Sequence, residues 1–425
     1  MGKRRQGITR RQVITGFFAI LGLFILINYV PLALSGDSQV SRIALAVPQP
    51  IIAFPTAWSL TITGIIMLIA GGLGLSNRAH RWADGLLWTS AVLLFPAILI
   101  WAAAGKQTNA TVMLSESLRL GTPLALGALA GIWAERSGVI NIAIEGMMLM
   151  GAAFGFAIFV FTGQIWVGVL GAVVIGGVMA LLHGLLSISF RTDQIISGTV
   201  VNILAIGITG YLRRQYIVTE GGGRVTLPSL STMIADAGFP DLARSLDSIP
   251  VLGTIIFGGK PIFFAMLLLV ITTHIVLFMT RWGLRTRAVG ENPKAADTVG
   301  IAVNRMRYIN LFISGCIAGL GGAWFSIETV GNFDDGMTAG KGFIALAAMI
   351  FGKWMPFGAF GGAMLFGFAE ALGTRFQILQ VQVLGGPVPV QFLQVIPYVV
   401  TMIVLAGLIG RAVGPAAVGK PYEKQ

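Results

Sequence analysis

Glu145 lies several residues inside an otherwise apolar run, in the stretch Ala134-Glu-Arg-Ser-Gly-Val-Ile-Asn-Ile-Ala-Ile-Glu-Gly-Met-Met-Leu149. A charged residue placed in a bilayer costs about 2.5–3.5 kcal/mol on insertion scales, so it faces a bundle interior or a water-filled cavity. Helical spacing puts Asn141 four residues earlier on the same face, where it can hydrogen-bond the carboxylate. Two readings stand open: Asn141 and Glu145 line a polar translocation path, or they form a structural lock between helices. Glu116 and Asn202 are further polar candidates for either role, and Glu328, Glu370 and His183 also lie at or within apolar segments. Asp334 and Asp335 flank a Gly-rich loop and are expected to be solvated.

A different chemistry is written into Arg281–Arg307, a cation-rich island between two apolar runs that holds six Lys or Arg and two acidic residues, Glu291 and Asp297. Gly290, Asn292 and Pro293 predict a turn. Pro293 suits the first position of a short helix through Lys294, Ala295, Ala296 and Asp297, and Gly300 can end it. Such a compact amphipathic helix, held between two membrane segments, has the shape through which a soluble subunit can push a membrane subunit. The plain alternative is a basic loop that obeys the positive-inside rule. If the helix docks in a partner's groove, a bulky charge at Ala295 or Ala296 should break the contact.

Other chemistries find no footing. Gly414-Pro-Ala-Ala-Val-Gly419-Lys420 approaches a phosphate loop, but Pro421 stands where Ser or Thr is needed and too little chain follows for the helix. There is no Gly-x-Ser-x-Gly or His-Glu-x-x-His motif. His80, His183 and His274 form no i, i+4 pair, and the single Cys316 excludes an intrachain disulfide framework.

The elements that position these residues are membrane helices. The chain of 425 residues is 55% hydrophobic and only 11% charged, against roughly 25% charged in soluble domains. Its net charge of +12 concentrates in loops on one side of the membrane, so topology explains it better than nucleic acid does. With about 20 apolar residues per crossing, spans are expected near 13–32, 58–75, 86–104, 112–133, 139–161, 165–189, 195–211, 261–280, 308–327, 342–355, 357–374 and 392–410. The fold class is thus all-α, a polytopic bundle of about twelve spans with both termini cytoplasmic. The start, through Arg11, reads as the inner flank of an uncleaved first span, because the apolar run from Val13 is longer than a signal-peptide core. The 212–260 segment, with Arg213, Arg214, Arg224 and Arg244, falls outside. Paired glycines such as Gly176-Gly177 and Gly321-Gly322 signal close helix packing. Lys353 to Pro356 and Gly358 interrupt 342–374 into two helices expected to be too short to cross untilted, either a transport-site break or a tight hairpin. Leu126–Trp133 faintly echoes Leu346–Trp354, which would fit two related halves.

The segments Gly283–Ile301, Ser314–Trp324 and Glu135–Ala152 together resemble the inner-membrane permeases of ABC importers for nucleosides and simple sugars, a superfamily shared with branched-chain amino acid permeases. The resemblance covers roughly Leu114 to Gly410. It implies a prokaryotic cell-membrane subunit, not an enzyme, with ATP and Mg held by a separate cytoplasmic ATP-binding subunit and no cofactor in this chain. It also implies a paralogous second permease or self-pairing, an extracytoplasmic substrate-binding lipoprotein, a small polar solute as cargo, and no nucleic acid. Residues 290–300 match the segment expected to couple to the ATPase: Gly290, Glu291, Asn292, Pro293, Ala295, Ala296, Asp297 and Gly300. The organisation expected is extra spans in 1–110, a permease core in 111–410 with the coupling loop 281–307, and a cytoplasmic tail in 411–425. An ion-coupled secondary carrier of small polar solutes and a branched-chain amino acid ABC permease are the alternatives.

Overall fold

Apolar runs with few charges leave the backbone no partner but itself in a bilayer, and a helix satisfies every interior N–H and C=O within the segment. The computed structural model describes residues 10–36, 39–45, 51–75, 80–217, 226–249, 251–383, 386–396, 398–399 and 412–423. The first helices are α1 (Arg10–Leu34), α2 (Thr56–Leu75), α3 (His80–Ala102), α4 (Ala110–Glu135), α5 (Ile144–Thr162), α6 (Ile165–Gly184) and α7 (Gln194–Leu212). Two short ones follow, α8 (Leu230–Asp236) and α9 (Pro240–Asp247), then α10 (Pro261–Met279), α11 (Arg281–Glu291), α12 (Pro293–Thr298) and α13 (Val303–Ala323). The last are α14 (Lys341–Phe351), α15 (Pro356–Ile378) and α16 (Val390–Gln394). Turns of π-helix extend α6 (Leu185–Ser189), α7 (Arg213–Ile217) and α13 (Trp324–Val330).

Nine helices among the described residues are long and apolar enough to cross a membrane. The chain is therefore a multi-pass helical membrane protein. Of the twelve expected segments, 112–133 lies in α4, which carries Glu116 and Arg119 and is not among the nine. The segment 342–355 shrinks to α14, of 11 residues, and most of 392–410 lies outside the described residues. Arg224, assigned to the outer 212–260 segment, and residues 411, 424 and 425 of the expected cytoplasmic tail lie outside them too.

Two compact units divide the chain. One comprises Met1–Leu114, Ile249–Ile255 and Glu370–Gly410. Here α1 packs on α2 at backbone distance, since a Cβ on Gly71 would lie 2.5 Å from the Ala19 amide nitrogen. The mostly helical chain also carries a small sheet in this unit. Its central strand β1 (Val40–Ala44) pairs antiparallel with β2 (Ile51–Pro55) and parallel with β3 (Gln107–Asn109). Ser41 on β1 donates to the Ile100 carbonyl of α3 at 2.6 Å, which ties the sheet to that helix.

The second unit comprises Ser115–Ser248, Ile256–Ala369 and Arg411–Gln425. Its centre is α5, α6 and α13. A Cβ on Gly176 would sit 2.3 Å from the Gly315 carbonyl oxygen, and one on Gly322 would sit 2.1 Å from that of Met148. Such contact supplies the van der Waals packing that holds helices together in lipid. The expectation of two helices too short to cross holds only for α14: its 11 residues rise about 16 Å, whereas the 23 residues of α15 rise about 34 Å. Asp334 and Asp335 are half-exposed but paired, both with Arg213, at 2.8 and 3.4 Å.

Candidate functional site

Two polar constructions stand out in the second unit, and the sequence pointed at both. The first is the α11–α12 loop. Asn292 accepts a hydrogen bond from the Ala295 amide at 3.1 Å and so caps α12, with Pro293 as its first residue. Gly300, at φ +83°, closes the far end as its amide returns to the Asp297 carbonyl. A left-handed residue after the last turn is the usual stop of a helix. The short helix thus forms where Gly290, Asn292, Pro293 and Gly300 placed it.

The faces of that helix correct one expectation. Ala295 and Val299 are exposed, the latter at 74%. Ala296 instead turns inward and packs with Val289, Val303, Met306 and Tyr422. A charge at Ala296 would break this chain's own packing, so only Ala295 can report on a surface contact. Gly290, in the last turn of α11, packs against the turn after α4, where a Cβ would meet the Arg136 carbonyl oxygen at 2.3 Å. Arg136 donates to the Trp354 carbonyl from Nε and Nη2, at 3.1 and 3.0 Å, and the Trp354 indole donates to Glu135 at 2.6 Å. Burial pulls the Arg136 guanidinium below its ordinary pKa; Glu291 opposes the shift and Arg287 adds to it.

The second construction surrounds Glu145. The helix there begins at Ile144 rather than near residue 139, so Asn141 and Glu145 do not share a helical face, and the expected bond between them is absent. Asn141 donates instead to Ser314 Oγ on α13, at 2.9 Å. Residues 139–143 run without helix into α5 and are held by side chains. Gln194 accepts from the Ile140 amide at 2.7 Å, His183 Nε2 donates to the Ile140 carbonyl at 2.9 Å, and Asn202 donates to the Ile142 carbonyl at 3.0 Å. Asn202 also accepts from the Gly146 amide at 2.8 Å.

Glu145 itself receives three donors. Oε1 accepts from Thr338 Oγ1 at 2.6 Å and the Gly340 amide at 2.8 Å; Oε2 accepts from the Gly342 amide at 2.6 Å. The carboxylate therefore caps the N-terminus of α14, where unpaired amides and the helix dipole favour a negative charge. Gly342 permits the approach, since a Cβ there would lie 2.6 Å from Glu145 Cα. The three bonds tie the start of α5 to the start of α14. Glu116 pairs with Arg119 on its own helix, and Glu328 caps α10 by accepting from the Ile262 amide at 2.7 Å. Sequence reasoning missed Thr338, Ser314 and Gln194; the only signal was their occurrence as polar residues beside long apolar runs.

Comparison with known proteins gives this geometry a family. Residues 113–405 match the family described as branched-chain amino acid transport system / permease component. The guanosine ABC transporter permease protein NupQ of Bacillus subtilis is 38% identical over 323 residues, covering 74% of this chain and 97% of the relative. The nucleoside ABC transporter permease protein NupC of Lactococcus lactis is 38% identical over 329 residues, with the same two shares. The putative glucose ABC transporter permease protein TsgC13 of Haloferax volcanii is 34% identical over 267 residues, 63% of this chain and 78% of the relative. No solved structure matches. A match across most of the chain, together with the helical fold, makes this protein a member of the branched-chain amino acid transport system permease family.

Proposed function

We propose that this chain is the transmembrane permease subunit of an ATP-driven importer and that its cargo is a nucleoside. The observation that carries the reading is identity of 38% with a guanosine permease and a nucleoside permease over 97% of each. The similarity to a putative glucose permease supports a simple sugar as the second choice. The subunit is not an enzyme; ATP and Mg belong to a partner.

On this reading the end of the second unit bearing α12 faces the cytoplasm, as the cations of residues 281–307 favour. Both termini lie on that side, in a prokaryotic inner membrane. The exposed residues of α12 dock on a nucleotide-binding subunit, a binding protein delivers the solute outside, and a second permease, paralogous or identical, completes the path. Residues 111–410 form the permease core, preceded by extra spans in 1–110.

Switching between states requires a partner that binds them with different free energy. ATP binding to a docked subunit supplies that difference, and α12 receives it. Purified chain in liposomes should give no concentrative uptake. Adding the ATPase, second permease, binding protein and ATP should give uptake that nucleosides compete away better than sugars or amino acids. Ionophore-sensitive uptake by the chain alone would install an ion-coupled carrier instead.

A further inference from the structure

Residues 412–423 lie as a strap across the polar end of the second unit, and the amides of Ala416 through Lys420 are all hydrogen-bonded. The Ala416 amide donates to Glu291 Oε2 at 3.1 Å, and the Ala417 amide to the Gly290 carbonyl at 2.9 Å. These two bonds seize the end of α11, next to α12. The Gly419 amide donates to the Gly138 carbonyl at 3.2 Å, in the turn that leads from α4 into α5. Gly419 is at φ +76°, and a Cβ there would lie 2.8 Å from the Ile140 side chain.

Side chains anchor the strap as firmly. Arg307, at the base of α13, is only 1% exposed and donates from Nη1 to the Lys420 carbonyl at 3.1 Å. A buried cation needs an acceptor, and the strap supplies it. Tyr422 is packed with Val289 and Ala296, beneath α12. Glu423 pairs with Arg191, two residues before the cap of α7.

We propose that segment 412–423 is a positioning element for energy coupling: it clamps the α11–α12 loop to the Arg136–Ile140 turn, so that displacement of α12 is delivered to the starts of α5 and α14. The clamp works from both sides of Gly290. Its carbonyl accepts from the Ala417 amide, and on its other side a Cβ would meet the Arg136 carbonyl oxygen at 2.3 Å. Moving α12 therefore moves Arg136–Gly138, and the non-helical residues 139–143 pass that motion to Glu145 and its three donors on α14. This rests on the importer reading above.

The test uses the complete importer in proteoliposomes, with uptake and ATP hydrolysis measured on one preparation. In a chain ending at Arg411, and separately in Gly419→Val, the complex should co-purify and hydrolyse ATP within twofold of wild type. Solute moved per ATP should fall at least tenfold. A packing role alone would lower assembly without changing that ratio. If truncation prevents assembly, Gly419→Val and a tether decide. Arg191→Cys with Glu423→Cys, in a Cys316→Ser background and bridged by a bismaleimide, should keep transport within twofold, because the strap stays seated through the cycle. An unchanged ratio in Gly419→Val, or uptake blocked by the tether, would overturn the proposal. A wild-type complex with no ATP-driven uptake would refute the importer reading itself.

Discussion

Among the helix starts of the second unit that a side-chain oxygen closes, α12 and α14 differ in where that oxygen comes from. At α12 it belongs to Asn292, three residues from the amide it serves. At α14 it belongs to Glu145, which is 193 to 197 residues away from its three donors. The local cap makes α12 a self-contained knob that keeps its form wherever the loop goes. The distant cap makes the starts of α5 and α14 one object. On the proposed importer reading, the element that meets a partner is built locally and the junction inside the bundle is built across the chain.

The largest effect should come from breaking the distant cap. Glu145→Leu leaves two amides and the Thr338 hydroxyl without their acceptor, at about 1–3 kcal/mol for each buried donor. Misassembly is expected, read as loss of the monodisperse peak in detergent. Ala295→Arg should come next: the chain inserts and folds normally, yet ATP-driven uptake and ATPase co-purification are lost, since overpacking an interface costs about 1–3 kcal/mol. Normal uptake in a well-expressed Ala295→Arg protein would remove α12 from the docking surface.

Glu145→Gln should be milder, because the amide oxygen still accepts one or two of the three bonds. Most transport should survive with a lowered melting temperature, whereas complete loss of transport in a folded variant would return Glu145 to the translocation path. The smallest change belongs to the local cap. Asn292→Ala should weaken α12 by about 1 kcal/mol, reducing uptake a few-fold without altering assembly, and Asn292→Asp should restore it.

The same contrast decides what was legible in the sequence. Asn292, Pro293 and Gly300 act within one or two turns of their own positions, and the helix they bound was readable from them alone. Glu145 was recognised as costly and therefore partnered, but its partners could not be named because they arrive through the fold. Pairing it with Asn141 failed for a specific reason: the helix begins at Ile144, so spacing by four residues had no helix on which to act. Ala296 failed for another, since two adjacent alanines in a short helix carry no mark of which one faces inward. The sheet of the first unit escaped notice because Ile51–Pro55 reads like the margin of an apolar span.

The glycines at the α5, α6 and α13 contacts have a consequence for heredity. Every single-base missense change of a glycine codon installs a side chain with at least a Cβ. At Gly176, Gly315, Gly319 and Gly322 that carbon would fall 2.1–2.3 Å from a backbone oxygen, where no neighbouring side chain can swing aside. In a screen of chance mutations selected for loss of uptake, these few codons should recur far beyond their number. Revertants should restore glycine itself, because no second-site change shortens a backbone.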